Sequence, residues 1–149
     1  MAERDETLRW IQEISFFDGF SPEEIQRISD FKNHILSYKQ GQIIVRQNDT
    51  DLSLFILLQG SAVITKNEKP QRVLASLTVG SVFGEVSFIN PRPRTTSVVA
   101  VTKSMVLKID SEMFETLTPT AQGKIKDRII NMLINRLDGI NNAILTNAR

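Results

Sequence analysis

Between Phe83 and Val98 the chain reads FGEVSFINPRPRTTSV, and four features of that run suit an anion bound beside a sugar. Gly84 lacks a Cβ, so a backbone can come close to a ligand there and take unusual dihedrals. Glu85 follows at once, and a carboxylate accepts hydrogen bonds from ribose hydroxyls. Residues 85–89 are short and apolar enough for one helical turn, whose free N–H groups would point at a phosphate. Pro91 and Pro93 then stiffen a turn that delivers Arg94, Thr95, Thr96 and Ser97 to the start of a strand. Arginine is the planar fork that matches two phosphate oxygens. Singly, a glutamate or an arginine in a loop is most often a solvated charge; the order and spacing make the run specific. Arg92 reads as an extra, exposed base beside it.

These residues need a scaffold, and composition limits what it is. At 149 residues the chain is expected to form one domain able to bury about two-thirds of its unfolded surface. There are no cysteines, which fits a reducing compartment, and the start MAERDETLRW does not resemble a secretory or transit peptide. No window approaches 18 uninterrupted apolar residues, so no membrane span is expected. With 18 basic against 17 acidic residues and a net charge of +1, nothing global steers the chain toward nucleic acid. The expected compartment is the cytoplasm.

Leu8, Ile11, Ile14 and Phe17 recur at helical spacing and predict an amphipathic helix over 5–18. Ser21-Pro22-Glu23-Glu24 is a capping box with proline at the first helical position, opening a second helix over about 22–30. Phe16, Phe17 and Phe20 read as core plugs. From Phe31 the period falls to two: runs at 34–39, 42–47, 53–59, 61–66, 72–78, 95–101 and 104–110 are short, rich in Ile, Val and Leu, and punctuated by Gly41, Asn48-Asp49, Gly60 and Gly80. Seven or eight such strands without intervening helices predict an antiparallel barrel or jelly roll. Asp110 or Ser111 caps a short turn at 112–116, and Thr118-Pro119 opens a last helix over 119 to about 146. That helix carries Ile125, Ile129, Met132, Leu133, Leu137, Ile140 and Ile144 on one broad face. Roughly 40 Å of helix exceeds what a small barrel needs, so part of the face is expected to meet a second copy of the chain.

The run at 83–98 closely resembles the phosphate-binding cassette of the cyclic nucleotide-binding domain family. FFDGFSPEEIQRI, GQIIVRQNDTDLSLFILLQGSAVI and SMVLKIDSEMF extend the resemblance over about residues 14–146. It implies a mainly β fold: a jelly-roll barrel over 31–110 with N-terminal helices over 1–30 and C-terminal helices over 111–149. It also implies a 3′,5′-cyclic nucleotide, cAMP or cGMP, as ligand, with no cofactor and no metal. Carried over, Arg94 pairs with the cyclic phosphate and Glu85 accepts from the ribose 2′-hydroxyl. Gly84, Val86 and Thr96 add backbone contacts. Val63, Ala75, Leu77 and Phe83 wall the base. Thr95 resembles the forms that accept cGMP in the syn conformation, its hydroxyl reaching the phosphate and the guanine amino group. INRLDGI resembles the lid of hyperpolarisation-activated channel domains, whose Arg and apolar partner fall at Arg136 and Ile140, and i,i+4 spacing puts both on one face.

Two departures stand out: Asn48 occupies a turn position that is commonly Gly, and Thr96 one that is more often Ala. A metal-dependent cupin, sharing the jelly roll, would need several His and carboxylate ligands; the chain has one histidine, His34, which reads as a strand or surface residue. No nucleophile set can be assembled around it, so no enzyme is expected. A catabolite-activator-type regulator would carry a helix-turn-helix beyond the long helix; the sequence stops at Arg149, so no DNA reading is expected. A degenerate domain that only mediates protein contacts is the remaining alternative, against which Glu85 and Arg94 argue. The reading is therefore a sensor whose helices around 111–146 move on binding and act through a homodimer or an effector protein not named by the sequence.

Overall fold

The computed structural model describes residues 2–68 and 70–147. Met1, Lys69, Ala148 and Arg149, which the expected domain includes, lie outside the described residues. The chain forms two compact units, Met1–Thr116 and Leu117–Arg149.

In the first unit, helix α1 runs over Ala2–Glu13 and is followed by a 3-10 turn over Ser15–Phe17. The helix therefore ends earlier than its apolar spacing predicts. Ile14 is extended, at φ −88 and ψ 127, and after this break the consecutive Phe16 and Phe17 are both buried. Phe17 meets Phe16 and Phe20 edge to face, each at 5.2 Å. Helix α2 covers Pro22–Ser29, and both halves of its capping box are formed: Glu24 N donates to Ser21 Oγ at 3.1 Å and Ser21 N to Glu24 Oε1 at 2.7 Å.

Eight strands follow: β1 Ile35–Tyr38, β2 Ile43–Val45, β3 Leu54–Gln59, β4 Ala62–Lys66, β5 Arg72–Leu77, β6 Val82–Phe83, β7 Ser97–Ala100 and β8 Ser104–Ile109. Helix α3, Glu85–Ile89, sits between β6 and β7, and α4, Ser111–Thr116, ends the unit. The strands make two antiparallel four-stranded sheets, ordered β1-β8-β3-β6 and β2-β7-β4-β5. Apart from the β4–β5 hairpin, each strand passes to the other sheet, which is the path of a jelly roll. Phe55, Leu57, Phe83 and Val106 from one sheet and Ile44, Ala62, Leu77, Val98 and Ala100 from the other share the core cluster. On β3 the alternate residues Leu54, Ile56 and Leu58 are buried as well, and α1 packs against this strand. A strand covered on both faces reads as an unbroken apolar run.

The second unit is one helix, α5, Pro119–Asn147. Thr118 Oγ1 accepts from Ala121 N at 3.2 Å, as a cap before proline should. Of its apolar residues, Ala121, Ile125 and Ile129 are buried, whereas Ile130, Ile134, Leu137, Ile140, Ile144 and Leu145 are exposed. Among the described residues no helix is long and apolar enough to cross a membrane.

Candidate functional site

The run 83–98 enters on β6, turns at Gly84, makes α3 and leaves into β7. Gly84 is left-handed, φ 78 and ψ 5, at the N-terminus of α3. A Cβ at this position would stand 2.7 Å from the Ser53 carbonyl oxygen, 3.0 Å from an Arg94 terminal nitrogen and 3.2 Å from the Phe55 ring. Both the dihedral and the close approach therefore require glycine. Glu85 and Arg94, nine positions apart, are both buried, at 6% and 5% exposure.

Arg94 is held by backbone rather than by carboxylates. Its two terminal nitrogens donate to the Gly84 carbonyl at 2.9 Å and to the Ser53 carbonyl at 2.6 Å. Its guanidinium lies 5.8 Å over the Phe55 ring, a cation–π distance. Its Nε is buried and has no hydrogen-bond partner. Burial pulls the guanidinium pKa down, opposed by the negative charges of Asp51, Asp49 and Glu85. Two neutral carbonyls thus hold a buried cation that retains a spare donor, and an unfilled buried donor is costly unless something completes it. An anion with several acceptor oxygens has that chemistry.

The backbone of Arg94 is equally constrained. Asn48 N donates to the Arg94 carbonyl at 2.8 Å and Arg94 N to the Asp49 carbonyl at 2.9 Å. Asn48 takes φ 73, the left-handed conformation asparagine tolerates. Ser97 Oγ accepts from Gln47 N at 2.8 Å, so the 47–49 turn is tied to 94–97 at three points.

The remaining residues singled out by sequence divide by position. Thr95 and Val86 are exposed and Thr96 is half-buried, all at the edges of the same run, and Arg92 is exposed. Phe83 is buried and stacked on Phe55, centroids 5.3 Å apart at 7°. Leu77 is opposite Ala62 and Ala75 opposite Ile64 across β4–β5, with Leu77 and Ala62 in the core cluster and Ile64 packed against it. Val63 does not join them. It pairs with Ser76 and Val99, and strand alternation places it on the other face, so Ala62 and Ile64 hold the inward positions that the sequence reading gave to Val63. Arg136 and Ile140 are exposed on α5, in the second unit.

His34 donates from Nδ1 to the Lys108 carbonyl at 2.9 Å and meets Phe31 edge to face. Among the described residues no group of three or more His, Asp or Glu could hold a metal ion.

Sequence reasoning missed the residues that hold Arg94 from outside the run. Asp51 Oδ1 accepts from Ser53 N at 3.0 Å and Ser53 Oγ at 2.7 Å, and Asp51 Oδ2 lies 3.1 Å from Lys108 Nζ. Burial pushes the Asp51 carboxyl up, but the hydrogen bonds from Ser53 and the Lys108 ammonium outweigh it and hold it below its ordinary value. The available signal was Asp51-Leu52-Ser53, whose spacing suits an Asx turn.

The geometry can be set beside known proteins. The family model described as the cyclic nucleotide-binding domain matches residues 35–120. The cAMP-dependent protein kinase regulatory subunit of Schizosaccharomyces pombe is 28% identical over 111 residues, 74% of this chain and 26% of that protein. The cGMP-dependent protein kinase 2 of Rattus norvegicus is 32% identical over 89 residues, 59% of this chain and 11% of that protein. The chain thus spans about a quarter or less of these relatives' length. In structure it is similar to a cyclic nucleotide-binding domain from Methylobacillus flagellatus, with a TM-score of 0.76 at 21% identity, covering 98% of this chain and 84% of that one. It is also similar to PKAR CBD2 bound to Sp-2Cl-cAMPS, with a TM-score of 0.73 at 24% identity, covering 95% and 92%. A family match over more than half its length, on a jelly roll that buries Glu85 and Arg94 at one turn, places this chain in the cyclic nucleotide-binding domain family.

Proposed function

We propose that the chain binds a 3′,5′-cyclic nucleotide, cAMP or cGMP, as a non-catalytic sensor. The observation that carries this is Arg94: a buried guanidinium held by two carbonyls, with an unfilled Nε, beside Gly84 and Glu85. A cyclic phosphodiester carries one negative charge and suits one planar fork. Arg94, with backbone of Gly84, Val86 and Thr96, receives the phosphate, and Glu85 accepts from the ribose 2′-hydroxyl. Leu77, Ala75 and Phe83 offer apolar surface to the base, and Arg136 and Ile140, one turn apart on α5, act as the lid.

Thermal shift and calorimetry with both nucleotides test the reading. Binding raises the melting temperature by mass action. Thr95, which resembles the residue of cGMP-accepting forms, is exposed, so affinities for cAMP and cGMP should lie within ~100-fold of each other. A wider gap in favour of cAMP refutes the role given to Thr95; no saturable binding of either refutes the function and leaves a protein-contact module.

The output runs through the C-terminal helices to a homodimer or an effector protein, in the cytoplasm. Exposed Ile130, Ile134, Leu137, Asn141 and Ile144 follow the 4-3-4-3 spacing of a coiled-coil seam, with asparagine at one position, as in seams that specify two strands. Sedimentation should find a dimer that Leu137→Glu converts to monomer; a wild type monomeric at all accessible concentrations removes this part of the reading.

A further inference from the structure

Lys108 is out of place by strand pattern. The β3–β8 register sets it opposite Phe55, with Val106 opposite Leu57, and Phe55, Leu57 and Val106 all belong to the inter-sheet core. A lysine therefore stands at an inward position of β8, where the alternation asks for an apolar residue. Its ammonium lies 3.1 Å from Asp51 Oδ2 and 5.8 Å over the Phe55 ring. The same ring carries the Arg94 guanidinium at 5.8 Å. From Asp51 the contacts continue inward: Oδ1 accepts from Ser53 N and Oγ at 3.0 and 2.7 Å, and the Ser53 carbonyl accepts from Arg94 at 2.6 Å.

Accepting the reading of Arg94 as the phosphate ligand, we propose that Lys108 is a positioning residue for it: by occupying Asp51, Lys108 keeps that carboxylate from capturing Arg94 and leaves the guanidinium on carbonyls, available to an incoming anion. Asp51 carries a cation of its own, Lys108 at 3.1 Å, and of the acids around Arg94 its charge acts most on the guanidinium. Without that ammonium, one carboxylate oxygen loses its partner in a partly buried setting, where an opposite charge is strongly attracted. Arg94 is the other cation over Phe55. A carboxylate–guanidinium pair formed there would have to be broken before a phosphate could bind, which lowers affinity. Tyr38 also faces this group: burial raises its phenol pKa, with Lys108 and Asp51 acting on it in opposite directions, so it stays neutral and offers no competing charge.

The test uses Lys108→Met, Lys108→Gln, Lys108→Arg, Asp51→Asn and the Lys108→Met/Asp51→Asn double variant, with cAMP and cGMP titrated by calorimetry beside wild type. The neutral variants should lose about 10-fold in affinity, 1.4 kcal/mol, whereas Lys108→Arg stays within about 3-fold, because it keeps the charge. In the Asp51→Asn background the loss should vanish, since no carboxylate is left to capture Arg94. A loss of equal size in that background, or none in either neutral variant, overturns the proposal. A ligand-free readout keeps it separate from the function itself. The Arg94 Nε–H resonance in ¹⁵N spectra should shift in Lys108→Met and Lys108→Gln and return in the double variant, and an unmoved resonance overturns the proposal even if nucleotide binds. If wild type binds neither nucleotide, the proposed function fails and the resonance alone decides the role of Lys108.

Discussion

Arg94→Ala should abolish cyclic nucleotide binding at micromolar concentrations while leaving the fold nearly intact. Truncating one half of a buried, hydrogen-bonded charge pair costs about 2–5 kcal/mol of binding, or roughly 30- to 5,000-fold. The fold loses less because the unliganded guanidinium is itself poorly satisfied: its partners are two neutral carbonyls and its Nε has none. The Gly84 carbonyl also keeps a second donor, Phe88 N, at 3.3 Å. Arg94→Lys should weaken binding too, since an ammonium cannot hold Gly84, Ser53 and a phosphate in one plane. Calorimetry reads the affinity and thermal denaturation the fold; an unchanged dissociation constant for Arg94→Ala sinks the assignment.

Gly84→Ala should lose both stability and binding. Forcing a non-glycine residue to φ 78 and moving backbone out of the way is expected to cost about 1–3 kcal/mol, which for a protein of this size lowers Tm by roughly 2–4 °C per kcal/mol. The Cβ would press on the Ser53 carbonyl, Arg94 and the Phe55 ring, three groups that hold the guanidinium. Gly41 supplies the control, because it also has a positive φ, +85, yet nothing lies within 4 Å of its Cβ position. Gly41→Ala should therefore show only the backbone penalty and leave binding untouched. Equal melting temperatures for the two variants would mean that the close approach at Gly84 is not what matters.

Most of the architecture was legible because it is local. The change of period at Phe31, the capping box at Ser21, the cap at Thr118 and the helical turn over 85–89 each rest on neighbours within a few residues. What was not legible depends on partners far along the chain. Strand β6 is two residues long and exists through pairing with Phe55 and Ile56, so no local pattern marks it. Val63 was misplaced by one residue, and in a strand a shift of one exchanges the faces. At the site, the anchors Glu85 and Arg94 lie in one contiguous run, whereas Ser53, which holds Arg94, and Asp51 behind it come from the segment before β3, and Lys108 comes from β8. Helix α1 ends early at the extended Ile14, whose buried side chain and those of Phe16 and Phe17 continue the apolar spacing past the break, so periodicity alone does not reveal the end.

The reciprocal backbone bonds between Arg94 and the 48–49 turn bear on how portable the recognition run is. Although residues 83–98 are continuous, the pitch at which Arg94 is presented is fixed by a turn more than forty positions upstream and by the Ser53 carbonyl just before β3. Transplanted alone into another scaffold, the run would carry its arginine but not its aim. The transferable unit extends from the 47–49 turn through Ser97, taking in β3 and β6. Residues 95–96 lie between the two tied positions, Arg94 and Ser97, so substitutions there should leave the frame in place.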